Sequence, residues 1–538
     1  MKQTQRLVWF ILSTVLLCAL LGGLYGQTVV ATTVGDDSDV QASFNAFTKV
    51  YDVVEQNYAD PLDPDSAIFG PTDTSLGAIP GMLRTLDPHS NFFDPTAFTR
   101  LREDQEGKYF GVGMSIRGVP GKLGKMVTVV VQPMPGSPAF RAGIHPGDII
   151  VSVNGQSTDG LSSTEVATRL KGPKGTVVHF AVSREGSDQP VAFTITRDEI
   201  SRKSVDAAFF IKPGIAYIRI LSFNETTNDE LTDALNRLGE KGIQGLILDL
   251  RGNPGGLLNE AVQVTDHFLE RNQLIVYHYG RRSPEKKYIA RNGNDGNEYP
   301  MVVLINRFSA SAAEIVTGAL QDHDRALVMG EPSFGKGLVQ TVMPLSEHTA
   351  LALTTAHYYT PSGRLIQRDY SDVSLYDYYY HYDEGPDNHS DARLTDGGRT
   401  VYGGRGITPD LVVEDPKLTT VATNLLQRGA FFDFGKYYLG VHKSIPEDFV
   451  VTDEVLQEFK HFLETKKVKI TDTDIKDNAD FIKRHIRAQL VLVIYGEDKA
   501  SKIGIENDYL VGQALEHLGQ ARDLMASAKR YMAARSVN

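Results

Sequence analysis

The hydrophobic pattern of this chain changes near residues 106, 200 and 416, and no single fold follows all of the resulting patterns. A length of 538 residues is enough for three or four folded units of about 150 residues each. We therefore expect a multidomain α+β protein. Hydrophobic and charged residues make up 41% and 23% of the chain, which argues against a largely disordered protein.

Charge and cysteine content narrow the chemistry that the chain can perform. Acidic residues outnumber basic residues by 67 to 55, and the net charge of −12 argues against nucleic acid as a partner. Cys18 is the only cysteine and lies in an apolar N-terminal run. The folded body therefore offers no disulfide, no cysteine ligand for a metal and no cysteine nucleophile.

The N-terminus carries this apolar run over residues 7–25, preceded by Lys2 and Arg6. Its length lies between that of a signal peptide and that of a membrane-spanning helix, and the basic residues before it place the following body outside the cytoplasm. We expect residues 1–27 to form a signal peptide or a membrane anchor. The anchor is favoured because no small-residue cleavage site closes the run.

Four regions follow this segment. Apolar side chains recur at helical spacing in residues 36–105, whereas residues 106–200 carry short β-type runs separated by glycine. Strands alternate with helices over residues 201–416, as in an α/β domain, and residues 417–538 are helical with apolar stripes that favour a core or an oligomer interface. A tyrosine- and acid-rich stretch at residues 369–396 breaks the α/β pattern, and we expect an exposed insertion there.

The β-rich region holds three glycine-rich segments, at Tyr109–Met114, Gly136–Ala139 and Gly147–Gly155. Their sequence and order resemble a PDZ domain. The resemblance implies that a bound peptide adds as a strand to the sheet edge, while backbone N–H groups of the first loop hold its terminal carboxylate. The residues that would form this loop are Phe110, Gly111, Val112 and Gly113.

Gly330–Gly337 contains the GxxxxGK pattern of a phosphate-binding loop. A glycine nonetheless follows Lys336, where that loop needs Ser or Thr for Mg²⁺, and a β-patterned run follows in place of a helix. We therefore do not expect a nucleotide site.

A serine-rich segment, Ser309–Glu314, lies where a strand gives way to a helix. Taken alone, Ser311 and Glu314 fit a capping box, which would stabilise any helix start by about 1 kcal/mol. An acyl-transfer site needs a nucleophile, a base and two N–H donors for the oxyanion. A serine at a helix start, Lys336 on a glycine-framed turn and the Gly255–Gly256 pair could supply all of them.

Three segments together resemble the C-terminal-processing, or tail-specific, serine peptidases. These segments are Asp249–Gly256, Ser309–Ile315 and Val328–Gln340. The resemblance also takes in Leu86–Ser90 and Gly404–Asp410, so that it covers about residues 40 to 415. It implies a peptidase core of the α/β crotonase-like type with a Ser/Lys dyad.

The resemblance assigns roles to particular residues. Ser311 would be the nucleophile and Lys336 the general base, with Gln340 positioning the lysine. Ala312 would donate its N–H to the oxyanion together with one residue of the pair Gly255 and Gly256, and the sequence does not decide which. No metal and no cofactor are required.

The resemblance also implies what the protein acts on and where. Its substrates would be proteins or peptides with free C-termini, cleaved near those ends. Asp322 would support the activity, as it does in some members. An adaptor protein and a homo-oligomer are further candidate partners. We expect the protein in the bacterial cell envelope, on the periplasmic side, anchored in the inner membrane by its N-terminal helix.

Three alternatives stay open. The chain could be a catalytically silent PDZ scaffold in which Ser311 only caps a helix, although both Ser311 and Lys336 are present. A serine hydrolase could use His323 or His357 as its base, although neither lies in a recognisable triad motif. An acyl-CoA enzyme would use similar glycine-rich turns, but the PDZ-like region and the export signal argue against it.

Overall fold

The computed structural model describes residues 37–57, 63–70, 77–121, 125–184, 187, 189–371, 373–380, 391–414 and 416–536. The expected signal peptide or anchor at residues 1–27 lies outside these residues. Of the helices in the described part of the chain, none has both the length and the hydropathy needed to span a membrane. The chain divides into two compact units, residues 1–78 and residues 79–538.

The described residues of the first unit contain α1 (Asp37–Asn57) and α2 (Pro64–Phe69). Helix α1 covers the residues whose apolar side chains recur at helical spacing. The next elements are α3 (Ala78–Arg84), β1 (Asn91–Phe93) and α4 (Pro95–Glu106). The sequence pattern predicts only helices here, and β1 departs from it because its three residues pair with residues 350–352, far away in the sequence.

The β-rich region forms an antiparallel sheet with a helix beside one edge. Its strands follow the order β3-β4-β5-β7-β8, with β6 next to β5, so that β3 is an edge strand near α6. A separate ladder joins β2 to β9. The elements are β2 (Lys108–Gly111), β3 (Met114–Pro120), β4 (Met126–Pro133), α5 (Pro138–Arg141), β5 (Ile149–Val153), β6 (Gln156–Ser157), α6 (Ser163–Leu170), β7 (Val177–Ser183), β8 (Val191–Thr196) and β9 (Asp198–Ser201).

The α/β region contains two sheets. Its elements are β10 (Val205–Lys212), β11 (Ile215–Ile220), α7 (Thr227–Leu238), β12 (Gly245–Asp249), α8 (Leu258–Asp266), β13 (Leu274–Gly280), β14 (Ser283–Ile289), β15 (Met301–Ile305), α9 (Ala312–Asp322), β16 (Leu327–Gly330), β17 (Leu338–Pro344), β18 (Ala350–Tyr359), α10 (Leu375–Tyr380), β19 (Ala392–Leu394), β20 (Thr400–Tyr402) and β21 (Leu411–Val412). One sheet has the order β10-β11-β12-β15-β16-β21, and the other has the order β1-β18-β13-β14 with β17 beside β18.

The larger sheet is antiparallel at β10–β11 and parallel between all its other neighbours. Its central strands β12 and β15 are buried at every residue. This burial explains their continuous apolar sequences, because a parallel strand covered on both faces has no solvent side. Helices α7, α8 and α9 contribute to the core on one face of the sheet.

The C-terminal region is helical and supplies two sets of core residues. Its helices are α11 (Thr420–Gln427), α12 (Ala430–His442), α13 (Asp453–Thr465), α14 (Asp472–Asp477), α15 (Ala479–Tyr495), α16 (Glu497–Glu506) and α17 (Tyr509–Ser536). Phe459 and Phe462 belong to a core among these helices. The stripe of Leu510, Ala514 and Leu518 packs instead against the second face of the larger sheet. Both apolar stripes are therefore core.

The tyrosine-rich stretch at residues 369–396 is not wholly the exposed insertion that its composition predicts. Residue 372 and residues 381–390 of it lie outside the described residues. In α10, Tyr378 is only 2% exposed, with its ring centroid 5.6 Å from that of His89 and 5.5 Å from that of Phe334. The prediction is wrong for Tyr378 because aromatic partners that are distant in sequence bury it.

Candidate active site

Three loops of the α/β region meet at one edge of its larger sheet. Strands β12, β15 and β16 are adjacent and parallel, so their carboxyl ends lie side by side. Residues 250–257 follow β12, residues 306–311 follow β15, and residues 331–337 follow β16. The strand order therefore brings the three sequence motifs together.

These loops line a cavity of about 650 Å³. Part of its wall is apolar and includes Leu258, Ile315 and Leu338. The residues predicted from the sequence to be catalytic or oxyanion-binding that line it are Gly255, Gly256, Ser311, Ala312, Lys336 and Gln340. Such a mixture of apolar wall and convergent polar groups is typical of a substrate site.

Ser311 precedes α9 and has φ 54° and ψ −113°, a strained backbone for a residue other than glycine. Conformations of this kind cost about 1–3 kcal/mol and persist only where surrounding contacts hold them. One such contact is the Glu314 carboxylate, which accepts the Ser311 N–H at 2.7 Å. A residue that only caps a helix has no need of this strain, because an extended N-cap conformation is available.

The glycine pair after β12 is closely packed against backbone, with Gly255 against the serine segment. A Cβ atom on Gly255 would lie 2.7 Å from the Ala310 carbonyl oxygen, and one on Gly256 would lie 2.0 Å from another carbonyl oxygen. The Gly255 N–H donates to the Asn253 side chain at 2.8 Å. Within the described residues, the N–H groups of Gly256 and Ala312 have no acceptor. Two unpaired donors therefore border the cavity, and the glycine among them is Gly256.

Glu314 lies in the first turn of α9 and is fully buried. Its carboxylate accepts the N–H groups of Ser311 at 2.7 Å, Gly335 at 2.7 Å and Lys336 at 2.9 Å, and the Ser333 hydroxyl at 2.5 Å. Burial raises the pKa of Glu314, while these donors oppose the shift. The carboxylate thus joins the serine segment to the lysine turn, although the sequence predicted Glu314 only as part of a helix cap.

Lys336 reaches the cavity from the turn after β16. Removal from water lowers the pKa of Lys336, whereas the charges of Glu314 and Asp87 oppose that shift. The lysine Nζ donates to Gln340 Oε1 at 2.8 Å. Gln340 donates through Nε2 to the backbone carbonyl of His89, and this second bond fixes which end of its amide faces the lysine.

The segment Leu86–Ser90, for which the sequence alone indicates only a loop, provides that carbonyl. The Asp87 carboxylate accepts the N–H groups of His89 and Ser90 and the Ser90 hydroxyl, each at 2.7 Å. Burial raises the pKa of Asp87, but the hydrogen bonds outweigh it and hold the pKa below its usual value. These hydrogen bonds define the shape of the turn where it meets Gln340.

Tyr358 is a further buried residue of the site that sequence reasoning missed. Its hydroxyl lies 3.1 Å from the Ser311 carbonyl oxygen and also donates to the Lys336 carbonyl. Burial raises the pKa of Tyr358 well above its usual value, so the hydroxyl keeps its proton. The only sequence signal was a tyrosine in an alternating strand.

Comparison with known proteins gives three family matches. Peptidase family S41 matches residues 214–373, the PDZ domain matches residues 101–183, and the family described as "Probable PDZ-protease, C-terminal helical domain" matches residues 421–473. A carboxy-terminal-processing protease of Bartonella bacilliformis is 33% identical over 416 residues, 77% of this chain and 83% of that protein. This chain belongs to the carboxy-terminal-processing proteases of peptidase family S41.

Other carboxy-terminal-processing proteases are similar over shorter stretches. That of Synechocystis sp. is 39% identical over 295 residues, 54% of this chain and 68% of that protein. The structure of a photosystem II D1 C-terminal processing protease is 28% identical, covers 68% of this chain and 92% of its own, and has a TM-score of 0.34. The family resemblance predicted from the motifs is confirmed: the protease is a serine-type peptidase with PDZ, S41 and helical C-terminal domains.

The PDZ domain of the protease has two unpaired donors just before its edge strand. Phe110 and Gly111 lie in β2 and pair with β9. Val112 and Gly113 lie between β2 and β3, and their N–H groups have no acceptor within the described residues. The Ser137 hydroxyl donates to the Gly113 carbonyl at 2.7 Å and holds the loop.

Asp322 lies apart from the other predicted site residues of the protease. It ends α9, eleven residues after Ser311, which corresponds to about 16 Å along a helix. Its carboxylate pairs with the Arg364 guanidinium at 2.7 Å, both side chains are buried, and it accepts the Ser362 N–H at 2.9 Å. These contacts are those of a residue that stabilises the fold.

The candidate histidine bases also lie away from the cavity of the protease. Of the described residues that line it, none is a histidine. His323 instead contacts the Asp396 carboxylate and the Leu274 carbonyl oxygen, each at 2.7 Å. Across the described residues, no three His, Cys, Asp or Glu side chains are grouped as metal ligands would be.

Proposed function

We propose that this protease is a serine endopeptidase that cleaves proteins or peptides near their C-termini with a Ser311–Lys336 dyad. One observation carries the proposal. Lys336 is shielded from water in the same cavity that Ser311 lines, and its Nζ donates a hydrogen bond to Gln340 Oε1. A lysine exposed to water stays protonated at neutral pH and cannot accept a proton. We also assign the peptidase core to the crotonase-like folds, on the basis of the glycine-rich turn after β12.

The reaction begins when Ser311 attacks the scissile carbonyl and Lys336 takes the serine proton. The carbonyl oxygen becomes an oxyanion, and the N–H groups of Gly256 and Ala312 donate to it. Lys336 then gives its proton to the departing amine. A water molecule activated by Lys336 hydrolyses the acyl-enzyme and restores Ser311.

The buried carboxylate of Glu314 supports this chemistry without taking part in it. It holds the backbone of Ser311 and that of Lys336 at once, so the nucleophile and the base keep a fixed separation. Its charge also limits how far burial lowers the pKa of Lys336. Glu314 therefore positions the base, while removal from water is what lowers the pKa of Lys336.

The PDZ domain recognises the substrate tail. The terminal carboxylate binds the N–H groups of Val112 and Gly113, and the tail adds as a strand to β3 beside α6. The acceptor-free donors and the position of β3 at the edge of its sheet support this assignment. The family name of the relatives, carboxy-terminal-processing protease, agrees with it.

The location and the partners of the protease remain those proposed from the sequence. The basic residues before the apolar run over residues 7–25 support an anchor in the inner membrane, with the folded body on the periplasmic side of a bacterial envelope. An adaptor protein and a homo-oligomer are proposed partners.

Amidation of the C-terminus of a peptide substrate is expected to slow its hydrolysis by the protease. The amide removes the negative charge that the Val112 and Gly113 donors bind, so the tail loses its anchor. The measurement is the initial rate on the acid and amide forms of one peptide, followed by mass spectrometry of the fragments.

Two variants serve as controls for that assay. Ser311→Ala should leave both forms uncut. Ser309→Ala, in which the altered hydroxyl bonds the Leu250 carbonyl oxygen at 2.8 Å and does not line the cavity, should still cut the acid form. Equal cleavage of acid and amide forms by the unaltered protease would refute recognition of the free carboxylate.

A further inference from the structure

Helix α10 lies beyond residues 214–373, the part of the chain that matches peptidase family S41. Two of its tyrosines contact the turn that holds Gln340. The Tyr379 hydroxyl donates to the Pro88 carbonyl at 3.0 Å, and the Tyr378 hydroxyl lies 2.9 Å from His89 Nε2. Tyr380, on the same short helix, is 73% exposed. The helix therefore presents one side to the active site and another to solvent.

The direction of the hydrogen bonds around Tyr378 follows from its partners. Gln367 Oε1 accepts the Gly337 N–H at 2.8 Å, so its Nε2 is the donor to the Tyr378 hydroxyl oxygen at 3.3 Å. The Tyr378 hydroxyl keeps its own proton available for a hydrogen bond to His89 Nε2, 2.9 Å away. Burial, with the nearby charge of Lys336, lowers the pKa of His89 to about 4, so a neutral imidazole is there to accept it.

These contacts close a ring around the lysine. The ring passes in order through Gly337, Gln367, Tyr378, His89, Gln340 and the Nζ of Lys336. Gly337 is covalently joined to Lys336, so one network holds the lysine both at its backbone and at the end of its side chain. The Arg368 guanidinium packs 4.5 Å from the centroid of the Tyr378 aromatic ring and helps to hold that side chain in place.

We propose that Tyr378 is a positioning residue for the general base, and that its hydroxyl closes the ring which fixes both ends of Lys336. It acts through His89 and Gln340 and touches neither the substrate nor Ser311. If the segment Leu86–Ser90 shifts, the Gln340 amide is free to rotate. Its NH₂ group, in place of its oxygen, then faces the Lys336 amine. The proposal rests on the proposed function of Lys336.

The test compares Tyr378→Phe with Tyr380→Phe, which removes the same hydroxyl from an exposed position of the same helix. Tyr378→Phe should lower kcat about three- to tenfold, the range for one lost hydrogen bond, with KM unchanged. Tyr380→Phe should match the unaltered protease in both constants. Chemical denaturation of each variant measures the folded fraction in the assay.

A second variant, Tyr378→Ala, tests the link to the lysine through pH. The titratable groups that face Lys336 are Glu314, Asp87, His89 and Tyr358, and all of them remain in this variant. Loss of the aromatic side chain of Tyr378 opens space for water. Because desolvation is the main cause of the lowered pKa of Lys336, that pKa should rise. The acid limb of kcat/KM should move to higher pH, whereas Tyr378→Phe, which keeps the packing, should leave it in place.

The outcomes separate this proposal from the proposed function. Equal kcat values for Tyr378→Phe and Tyr380→Phe would overturn it, and so would a loss that only follows the folded fraction. An unmoved acid limb in Tyr378→Ala would overturn it as well. If Lys336→Ala kept full turnover, the proposed function itself would fail, whereas an inactive Lys336→Ala beside unchanged Tyr378 variants would remove only the role of Tyr378.

Discussion

Ser311→Ala, Lys336→Ala and the double mutant are expected to share one residual peptidase rate, about a thousandfold or more below that of the unaltered protease. Nucleophile and base act as one unit, so removal of either abolishes the acylation step and the two losses do not add. The measurement is the initial rate on one unmodified peptide with a free C-terminus, with the folded fraction of each variant checked by denaturation.

Three further variants define the base. Lys336→Arg should be as inactive as Lys336→Ala, because a guanidinium does not lose its proton at usable pH. His323→Ala and His357→Ala should keep most of the activity, since neither histidine lines the cavity. Near-normal turnover by Lys336→Ala on a peptide that Ser311→Ala leaves intact would show that another group is the base.

Asp322→Ala is expected to lower the free energy of unfolding by about 3–5 kcal/mol, because it leaves the buried Arg364 guanidinium without its carboxylate partner. Activity should fall with the folded fraction and not below it, since Asp322 lies outside the cavity. Urea denaturation followed by circular dichroism, together with kcat measured on the folded protein, tests both statements.

The double variant Asp322→Ala/Arg364→Met is the matched control. It removes both charges, so it should recover part of the lost free energy of unfolding. A stable Asp322→Ala protein with greatly reduced kcat would contradict a structural role for Asp322 and would indicate that it acts on the chemistry.

The sequence predicted well what depends on strand order. Ser311, Lys336 and the glycine pair are far apart in the chain, but each follows one of three adjacent parallel strands, and such strands end at one edge of the sheet. Their placement in one cavity follows from that rule. The burial of β12 and β15 likewise follows from their continuous apolar runs.

What the sequence left open depends on contacts between distant segments. Gly256 is distinguished from Gly255 only by the Asn253 side chain, which occupies one N–H group. His89 and Phe334, which are distant in sequence, pack against Tyr378 and bury it. The polar and aromatic residues next to Tyr378 in the sequence had instead predicted that it would be exposed.

Glu314 shows the same limit for a residue inside a recognised motif. Its spacing from Ser311 is that of a helix cap, and nothing local reveals that the carboxylate also accepts the N–H groups of Gly335 and Lys336. The role of the segment Leu86–Ser90 was hidden for the same reason, because its partner Gln340 lies some 250 residues further along the chain.

The central claim is that Lys336 is a desolvated lysine whose neutral form is the base. Its pKa can be measured by nuclear magnetic resonance titration of lysine Nζ groups in the folded, inactive Ser311→Ala protein, with the spectrum of Ser311→Ala/Lys336→Arg to assign the signal. A lysine with a lowered pKa is neutral above that pKa, so activity should rise with pH through it. We expect Lys336 to titrate below the ordinary lysine value of about 10.4, at the midpoint of the acid limb of kcat/KM. A Lys336 that titrates at the ordinary value, while the acid limb lies elsewhere, would contradict the account.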